Sequence, residues 1–452
     1  MQFELTKEYL GELRQAIREK DQAFIKKQLN ELYPADIAEI LDELDLEEAK
    51  YLYTHLGEEE AADVLMELEE DVRERFLASL SSEQIAKQFI DNLDSDDAAD
   101  LISELPDEVQ AEVISHIENI GQASDIVDLL NYPEDTAGGL MAKELISVNL
   151  NWDVLKCVRE MRKQAEEVEF VYTIYVVDDN QKLLGLLSLK KLLLAPEKAK
   201  VADIYDDDVI SVKASTPSEE VANIMDKYDL VVLPVVDNLG RLVGRITIDD
   251  VVDVMREEAD KDYQMMSGIS ENIESTDKIW IISRARLPWL LIALLGGVVA
   301  SQVIGIYEPQ ILIHPEMAFF MPLIAAMGGN VGVQSSALIV QGLANNNLSR
   351  DGIFPKLLKE LSVGLFNGLV CSVLLLSYNL AFNDSVALSL TVSIALFSVI
   401  IFAAIFGTFV PLVLDKYKVD PALATGPFIT TSNDIIGLFI YFMIGRLMYG
   451  VF

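Results

Sequence analysis

The sequence predicts a multi-domain membrane protein with an all-α superhelical N-terminal domain, a tandem α/β module, a long connecting helix and a five-helix α transmembrane domain. Three observations predict this architecture. Leucine recurs about every 12 residues near the N-terminus, one strand–turn–strand pattern occurs twice in the middle, and five long apolar stretches follow. We expect domain boundaries at 1–130, 131–200, 201–255, 249–280 and 281–452.

The charge of the chain is divided unevenly. Its 73 acidic and 35 basic side chains give a formal net charge of −38, and the first 287 residues hold 65 of the acids and 29 of the bases. Such an acidic body repels phosphates, which excludes nucleic acid as a partner. Cys157 and Cys371 lie far apart and predict no disulfide framework. The start lacks the apolar core of a signal peptide, so we expect a cytoplasmic N-terminus.

The first domain carries a leucine repeat with intervals of 12 or 13 residues, at Leu32, Leu44, Leu56, Leu68, Leu80, Leu93 and Leu105. Each interval is long enough for one short helix and a turn. Paired helices of this kind stack into a solenoid in which every unit buries its apolar face on the next. Acids outside the apolar stripe are usually a solvated face.

The middle of the chain contains one pattern twice, within about 137–255. An apolar segment ends in Asp, Gly follows seven residues later, and a second apolar segment comes next; the two copies are Tyr175–Asp178, Gly185 and Leu187–Leu189, then Pro234–Asp237, Gly244 and Ile246–Ile248. Each copy predicts helix, strand, turn, strand and helix. The region is therefore a small α/β module present twice.

An acidic helix follows the second copy and leads to the first apolar stretch. Asp249 and Asp250 stand where the first copy has Lys190 and Lys191, and further acids follow at Asp253, Glu257, Glu258, Asp260 and Asp262. The first two acids favour a helix start. Like charges three or four residues apart destabilise a helix by roughly 0.2–0.5 kcal/mol per pair. Either the strip is a solvated face, or divalent cations bridge it to neighbouring carboxylates.

Five stretches reach the roughly 20 apolar residues that span a bilayer, at 288–307, 317–343, 357–380, 386–414 and 422–449. Bases occur in alternate connections only, at Arg284, Arg286, Arg350, Lys356, Lys359, Lys416 and Lys418. The positive-inside rule then predicts a multi-pass protein of the cell membrane, with the N-terminus in the cytoplasm and the C-terminus outside. Five helices make a poor pore alone, so we expect a homodimer in membrane lipid that lines a shared pore.

The last span contains Asp434. A carboxylate at that depth costs at least about 2.5 kcal/mol unless it faces water, a partner or an ion. It is either protonated or capped locally, or it lies on an ion pathway. In the second span, Gly328, Gly329 and Gly332 permit close helix approach or a local break that lines a cavity. Asn330 beside them favours a pore-lining oxygen.

All these candidate ligands are hard oxygens, which suit Mg²⁺, Ca²⁺ or Mn²⁺ rather than zinc or copper. The three histidines are widely separated, and the spans contain no His-Glu-x-x-His spacing and no nucleophile–base pattern. We therefore do not expect an enzyme.

The arrangement resembles the MgtE family of bacterial Mg²⁺ channels and transporters over essentially the whole chain. The most specific matches are Tyr228–Asp237, Thr247–Val254, Gly328–Asn330, Gln334–Ser335, Asp420–Ala422 and Ser432–Asp434. The resemblance implies that the repeated module is a pair of cystathionine-β-synthase-type (CBS) domains. It also implies a homodimer with a central ion path.

The resemblance further implies site residues. Asp434 matches the pore carboxylate, and Asn330 matches a pore-lining position. Cytosolic Mg²⁺ sites fall on Asp96, Asp100, Glu219, Asp229, Asp250, Asp253, Glu258 and Asp262. Some relatives bind ATP in the CBS pair, and Lys190 and Lys191 leave this open here.

The implied function is Mg²⁺ movement into the cytoplasm through a path that closes when cytosolic Mg²⁺ bridges the acidic domains. One alternative is transport of Mn²⁺ or Co²⁺ on the same scaffold. Another is a CBS nucleotide sensor anchored in the membrane.

Overall fold

The computed structural model describes residues 3–166, 168, 170–270, 273, 278–344, 352–382, 385–424 and 426–450, without the side chains at 70, 71, 344 and 424. The chain divides into two compact units, Met1–Met255 and Arg256–Phe452. Each unit has its own apolar core.

Short helices in succession form the N-terminal half of the first unit. In its described residues they are α1 Lys7–Glu19, α2 Gln22–Leu29, α3 Pro34–Asp42, α4 Leu46–Tyr53, α5 Glu58–Met66, α6 Glu70–Leu77, α7 Ser82–Gln88, α8 Ser95–Ser103, α9 Asp107–His116 and α10 Ile120–Leu129. From α3 onward each helix begins 12 or 13 residues after the one before, as the leucine repeat predicts. The predicted all-α superhelical domain is confirmed.

Local sequence sets the helix starts and packing fixes their stacking. The side chains of Asp45 and Ser81 accept hydrogen bonds from backbone N–H groups in the first turns of α4 and α7. Pro34 is the first residue of α3, where its missing N–H is harmless. Leu52 and Leu65 are fully buried in the shared core.

Two three-stranded sheets follow. The first consists of β1 Ser147–Asn149, β2 Ile174–Val177 and β3 Leu183–Leu187 with α11 Val154–Gln164 and α12 Leu189–Leu194; the second consists of β4 Val212–Lys213, β5 Val232–Val236 and β6 Leu242–Thr247 with α13 Ser218–Lys227 and α14 Ile248–Met266. In each sheet the middle strand is parallel to the first and antiparallel to the third. The duplicated α/β module is confirmed, with an additional short first strand in each copy.

The glycine that recurs in both copies of the module lies where another segment of the chain runs alongside the edge of the sheet. Ala142 and Arg245 exchange two backbone hydrogen bonds of 2.8 and 2.9 Å at the edge of the second sheet. A Cβ on Gly244 would lie 2.7 Å from the Met141 sulfur, so only glycine fits beside the crossing segment. In the first copy, Leu186 and Asp206 exchange the corresponding two backbone hydrogen bonds, and a Cβ on Gly185 would collide with the Asp206 carbonyl.

The connecting helix is shorter than the sequence predicts. The helix α14 ends at Met266, and Gly268 follows with a φ of +81°, a conformation that glycine adopts without strain. The expected continuation to 280 includes residues 271–272 and 274–277, which lie outside the described residues.

The second unit is built on long apolar helices. Its described helices after α14 are α15 Ile279–Ile306, α16 Glu308–Ile313, α17 Met321–Ala344, α18 Ile353–Phe382, α19 Val386–Lys416 and α20 Pro427–Tyr449. All of these except α16 are long and apolar enough to cross a membrane, so the expectation of five candidate spans is confirmed. The most buried of them, α19, packs against α17, α18 and α20.

The glycine-rich segment does not interrupt the second span. The helix α17 continues through it. A Cβ on Gly332 would collide with the Asn433 amide, and one on Gly407 would collide with the Gly332 carbonyl. Of the two alternatives that the sequence allows here, the local break does not occur, and the glycines instead let α17, α19 and α20 approach closely.

Candidate functional site

Asp434 lies on α20 in the second unit. Gly426, with a φ of +53°, turns the chain into the helix, and Pro427 begins it. One turn before Asp434, the Thr430 hydroxyl donates a 2.9 Å hydrogen bond to the Gly426 carbonyl. The Asp434 side chain is half-buried, so the helix holds a carboxylate between protein and open space.

A cavity of about 320 Å³ between α17 and α20 contains both membrane residues that the sequence singles out. Asp434, Asn330, Gln334 and Thr430 line it with oxygen and amide groups. Gly329 allows the two helices to lie close together here, since a Cβ on it would lie only 3.1 Å from Thr430 Cγ2. The two predicted residues are thus brought together by packing.

A second cavity of about 470 Å³ reaches Asp434 from the side of α15. Gly296, Gly297, Thr430 and Thr431 are among its lining residues. Thr430 is not among the predicted site residues, although its position one turn before Asp434 places it on the same helix face. Asp434 is therefore accessible from two sides of α20.

The first unit contains a cluster of carboxylates, here called the acidic group: Asp94, Asp96, Asp97, Asp100, Glu144 and Asp250. Asp96, Asp97 and Asp100 belong to α8, and Asp94 directly precedes it. Asp250 is in the first turn of α14, and Glu144 lies between α10 and β1. Carboxylate oxygens of Asp94, Asp96 and Glu144 lie within 4.8 Å of one another. Three oxygens at such distances can ligate one hard divalent cation.

Burial and mutual repulsion raise the pKa values of the acidic group. Burial raises the pKa of Asp96 well above its ordinary value, and the charge of Asp250 raises it further. The pKa of Asp97 rises to about 7 because of burial and then Asp250. The pKa of Asp100 rises to about 7 because of reduced hydration and then the charges of Glu134 and Asp250. These carboxyl groups therefore take up protons more readily than ordinary aspartates, and a cation bound among them would lower their pKa values again.

Hydrogen bonds position the acidic group. Asp250 Oδ2 accepts from the Thr247 backbone N–H at 3.0 Å and from the Thr247 hydroxyl at 2.7 Å. Burial raises the pKa of Asp250 despite these bonds. The buried Ser95 hydroxyl donates to Glu144 Oε2 at 2.8 Å. These contacts fix the positions of the Asp250 and Glu144 carboxylates.

One buried guanidinium partly offsets the negative charge. Arg245 lies 3.5 Å from Asp94 Oδ2 and also donates to the Glu144 backbone carbonyl. Arg73, which acts on Asp100, already binds Glu104 with a 2.9 Å hydrogen bond. The acidic group therefore has more carboxylates than adjacent bases among the described residues.

The structure brings only some of the predicted cytosolic residues together. Asp96, Asp100 and Asp250 interact electrostatically within the acidic group. The other predicted residues of the first unit are exposed and stand outside it: Glu219 on α13, Asp229 with a φ of +52°, and Asp253 on α14.

Glu258 and Asp262 belong to the second unit, where a lysine accompanies them. Lys261 Nζ lies 3.2 Å from Glu258 Oε1. Burial alone would lower the Lys261 pKa, but the bond to Glu258 and the charges of Asp420 and Asp262 raise it. A side-chain cation thus already lies among these carboxylates.

Comparisons with known proteins agree along the chain. Residues 321–444 match the MgtE divalent cation transporter family, residues 32–135 match the MgtE intracellular N domain, and residues 137–198 and 201–257 match CBS domains. The magnesium transporter MgtE of Thermus thermophilus is 34% identical over 439 residues, which cover 96% of this chain and 97% of that protein. The chain belongs to the MgtE family of magnesium transporters.

Two other relatives are similarly close. The magnesium transporter MgtE of Enterococcus faecalis is 36% identical over 412 residues, or 90% of each chain. That of Bacillus subtilis is 36% identical over 314 residues, or 70% of each. These relatives are named as transporters, so the expectation that the chain is not an enzyme is confirmed.

Two solved structures resemble the first unit. The soluble part of a magnesium transporter superposes with a TM-score of 0.50 at 29% identity, covering 56% of this chain and 99% of that one. The cytosolic domain of the Mg²⁺ channel MgtE in complex with ATP superposes with a TM-score of 0.51 at 35% identity, covering 54% and 99%. The fold of the soluble part is thus shared within the family.

Proposed function

We propose that the chain is one subunit of a homodimeric Mg²⁺ channel that admits Mg²⁺ to the cytoplasm past Asp434. The observation that carries this proposal is the cavity of about 320 Å³ that Asp434 shares with Asn330 and Gln334. Each subunit supplies one set of these side chains to a path on the two-fold axis.

The size and chemistry of this cavity favour a hydrated ion. Mg²⁺ gives up its water reluctantly, and six waters occupy about 180 Å³ at roughly 30 Å³ each. The cavity has room for that shell. Asp434 attracts the charge while Asn330, Gln334 and Thr430 bind the waters, so we expect selection by size and charge.

Bases in the second unit support the proposed orientation in the cell membrane. Arg284 and Arg286 lie near the start of α15, and Lys416 and Lys418 lie at the end of α19. With these ends in the cytoplasm, as the positive-inside rule requires, the C-terminus is outside.

The acidic group supports gating by the transported ion. Its carboxylates repel one another when cations are scarce, and Mg²⁺ bound to them favours the compact arrangement. In this proposal Asp96, Asp100 and Asp250 form the principal regulatory site. Glu219, Asp229, Asp253, Glu258 and Asp262 provide further regulatory carboxylates. High cytosolic Mg²⁺ then closes the path, and low Mg²⁺ opens it.

ATP is the second proposed ligand of the soluble part. A related cytosolic domain, 35% identical to the matched part of this chain, was solved with ATP. Titration calorimetry of the full-length protein with ATP tests this; no heat of binding in the presence or absence of Mg²⁺ would rule out an ATP site.

Ion flux into liposomes tests the path. We expect Mg²⁺ entry through the purified parent protein at low cytosolic-side Mg²⁺, and at least tenfold slower entry through Asp434→Ala. The matched control is Asp415→Ala, which removes an exposed acid from the end of α19. It should conduct like the parent.

Each other outcome of the flux experiment has a definite meaning. Equal flux through Asp434→Ala would remove Asp434 from the path. No flux through intact parent dimers would favour a membrane-anchored sensor. Faster Mn²⁺ or Co²⁺ entry than Mg²⁺ entry would reassign the cargo to another divalent ion.

A further inference from the structure

The second unit has another cavity, at the C-terminal end of α20 and away from Asp434. It measures about 440 Å³ and lies among the end of α15, the short helix α16 and the last turns of α20. Tyr307, Gln310, His314, Arg446 and Tyr449 supply its polar and aromatic groups. None of them belongs to the proposed ion path.

Specific contacts hold the walls of this cavity in place. The His314 ring stacks on Tyr449 with centroids 3.7 Å apart and planes inclined by 13°. The Tyr449 hydroxyl donates a 3.5 Å hydrogen bond to Glu316. Tyr307 stacks on Phe442 at 5.0 Å. The cavity is therefore formed before a ligand enters.

Arg446 gives the cavity an uncompensated positive charge. Its side chain is exposed and makes no ion pair within the described residues. The nearby acid, Glu316, instead faces Tyr449 and lies 3.6 Å from His314 Nδ1. A guanidinium in an aromatic-lined cavity can hold two oxygens of a phosphate through its forked N–H donors.

The position of Arg446 matches the depth of lipid headgroups. It lies in the last turn of α20, a candidate membrane span of 23 residues that ends at Tyr449. Such a helix is about 35 Å long, which exceeds the roughly 30 Å of a bilayer's hydrocarbon core, so its last turn reaches the headgroup layer. Tyrosines such as Tyr307 and Tyr449 are typical of this interface.

Apolar side chains beside the cavity are ready to contact acyl chains. Ile306 is 74% exposed, Ile313 72% and Leu447 63%. A free phosphate would leave this surface uncovered, whereas a phospholipid would cover it while its headgroup fills the cavity. The surrounding surface therefore favours a lipid over a soluble anion.

We propose that this cavity binds the phosphate of an anionic phospholipid, with Arg446 as the principal donor and Ile306, Ile313 and Leu447 against the acyl chains. The site is separate from the proposed ion path, so its test needs no flux measurement.

Thermal unfolding of the full-length protein in neutral detergent tests the site. The probes are phosphatidylglycerol, phosphatidylcholine and inorganic phosphate. Phosphatidylglycerol should raise the unfolding midpoint of the parent by roughly 2–4 °C, and the other two should not. Native mass spectrometry should show retained phosphatidylglycerol on the same sample.

Two variants test whether lipid binding needs the cavity itself or only the positive charge of Arg446. Arg446→Gln removes the charge, and Ile313→Trp fills the cavity without changing charge. Both should lose the shift and the retained lipid. The matched control, Lys416→Gln, removes an exposed base from the opposite end of the spans and should keep both.

Four results would overturn the proposal. They are an unchanged shift in Arg446→Gln, an unchanged shift in a folded Ile313→Trp, an equal shift with phosphatidylcholine, and an equal shift with inorganic phosphate. The last would assign the cavity to a soluble anion. If Ile313→Trp does not fold, the proposal is decided by Arg446→Gln, through its thermal shift and the amount of phosphatidylglycerol that it retains.

Discussion

Asp97 makes the first unit sensitive to protons as well as to cations. Burial and then Asp250 raise its pKa to about 7, compared with 3.8 for an ordinary aspartate. Because the folded-state pKa is the higher one, the stabilisation is complete below about pH 4 and is lost as the pH rises through 7.

We therefore expect metal-free protein to become less stable between about pH 5 and about pH 8, and Asp97→Asn to lessen that loss. Thermal unfolding of the full-length protein in a chelator measures it. The exposed Asp107→Asn on α9 is the control and should retain the parent pH dependence. Identical pH slopes for parent and Asp97→Asn would contradict the account.

The sequence predicts some residues of the acidic group and not others. The acidic strip after the second repeat copy already predicts Asp250 as a cation ligand, whereas Asp96 and Asp100 are predicted only through the family resemblance. Asp94 and Glu144 were not, because they come from separate segments that only the fold brings together. No spacing signal connects Glu144 to Ser95, the residue whose hydroxyl binds it.

Among the elements, the contact of α17 with α20 depends on the absence of a side chain. A Cβ on Gly332 would collide with the Asn433 amide and lie 2.8 Å from Ile429 Cγ2. Both helices lack room to yield, since Gly407 of α19 supports α17 from the other side. The three helices can be this close only with glycine at 332.

We expect Gly332→Ala to destabilise the second unit by about 1–3 kcal/mol through overpacking. Gly305→Ala is the control, because a Cβ there meets nothing within 4 Å and alanine favours a helix. Thermal unfolding in detergent compares them. A Gly332→Ala midpoint at or above that of Gly305→Ala would refute the packing argument.

The sequence predicts helices correctly where a pattern of apolar residues repeats many times, and it does not predict the shortest strands. The leucine repeat predicts the intervals between α3 and α10, because every interval repeats one packing unit. The strands β1 and β4 have only three and two residues, too few for an alternating pattern. The glycine segment of α17 was ambiguous because close packing and a helix break need the same residue.

For the whole molecule, the proposed gating predicts that Mg²⁺ compacts the soluble part. Full-length protein should resist trypsin more and have a smaller hydrodynamic radius at high Mg²⁺ than in a chelator. Asp250→Asn should shift this response to higher Mg²⁺, because Asp250 interacts with Asp96, Asp97 and Asp100. Na⁺ at equal ionic strength is the control.

An unchanged digestion pattern and radius across the Mg²⁺ series would refute gating by compaction. It would leave the transport proposal intact, since flux through Asp434 is measured separately.

The crossing of the chain between the two sheets has a consequence during synthesis. Arg245 donates to the Glu144 carbonyl across 101 residues of sequence. At roughly 5–20 residues per second, a ribosome needs about 5–20 s to make that distance. Until then the backbone groups of Ala142 and the Glu144 carbonyl lack the partners that Arg245 supplies, and only contacts to earlier residues such as Ser95 can hold this segment. A nascent chain that stalls before Arg245 is therefore open to aggregation and to chaperones.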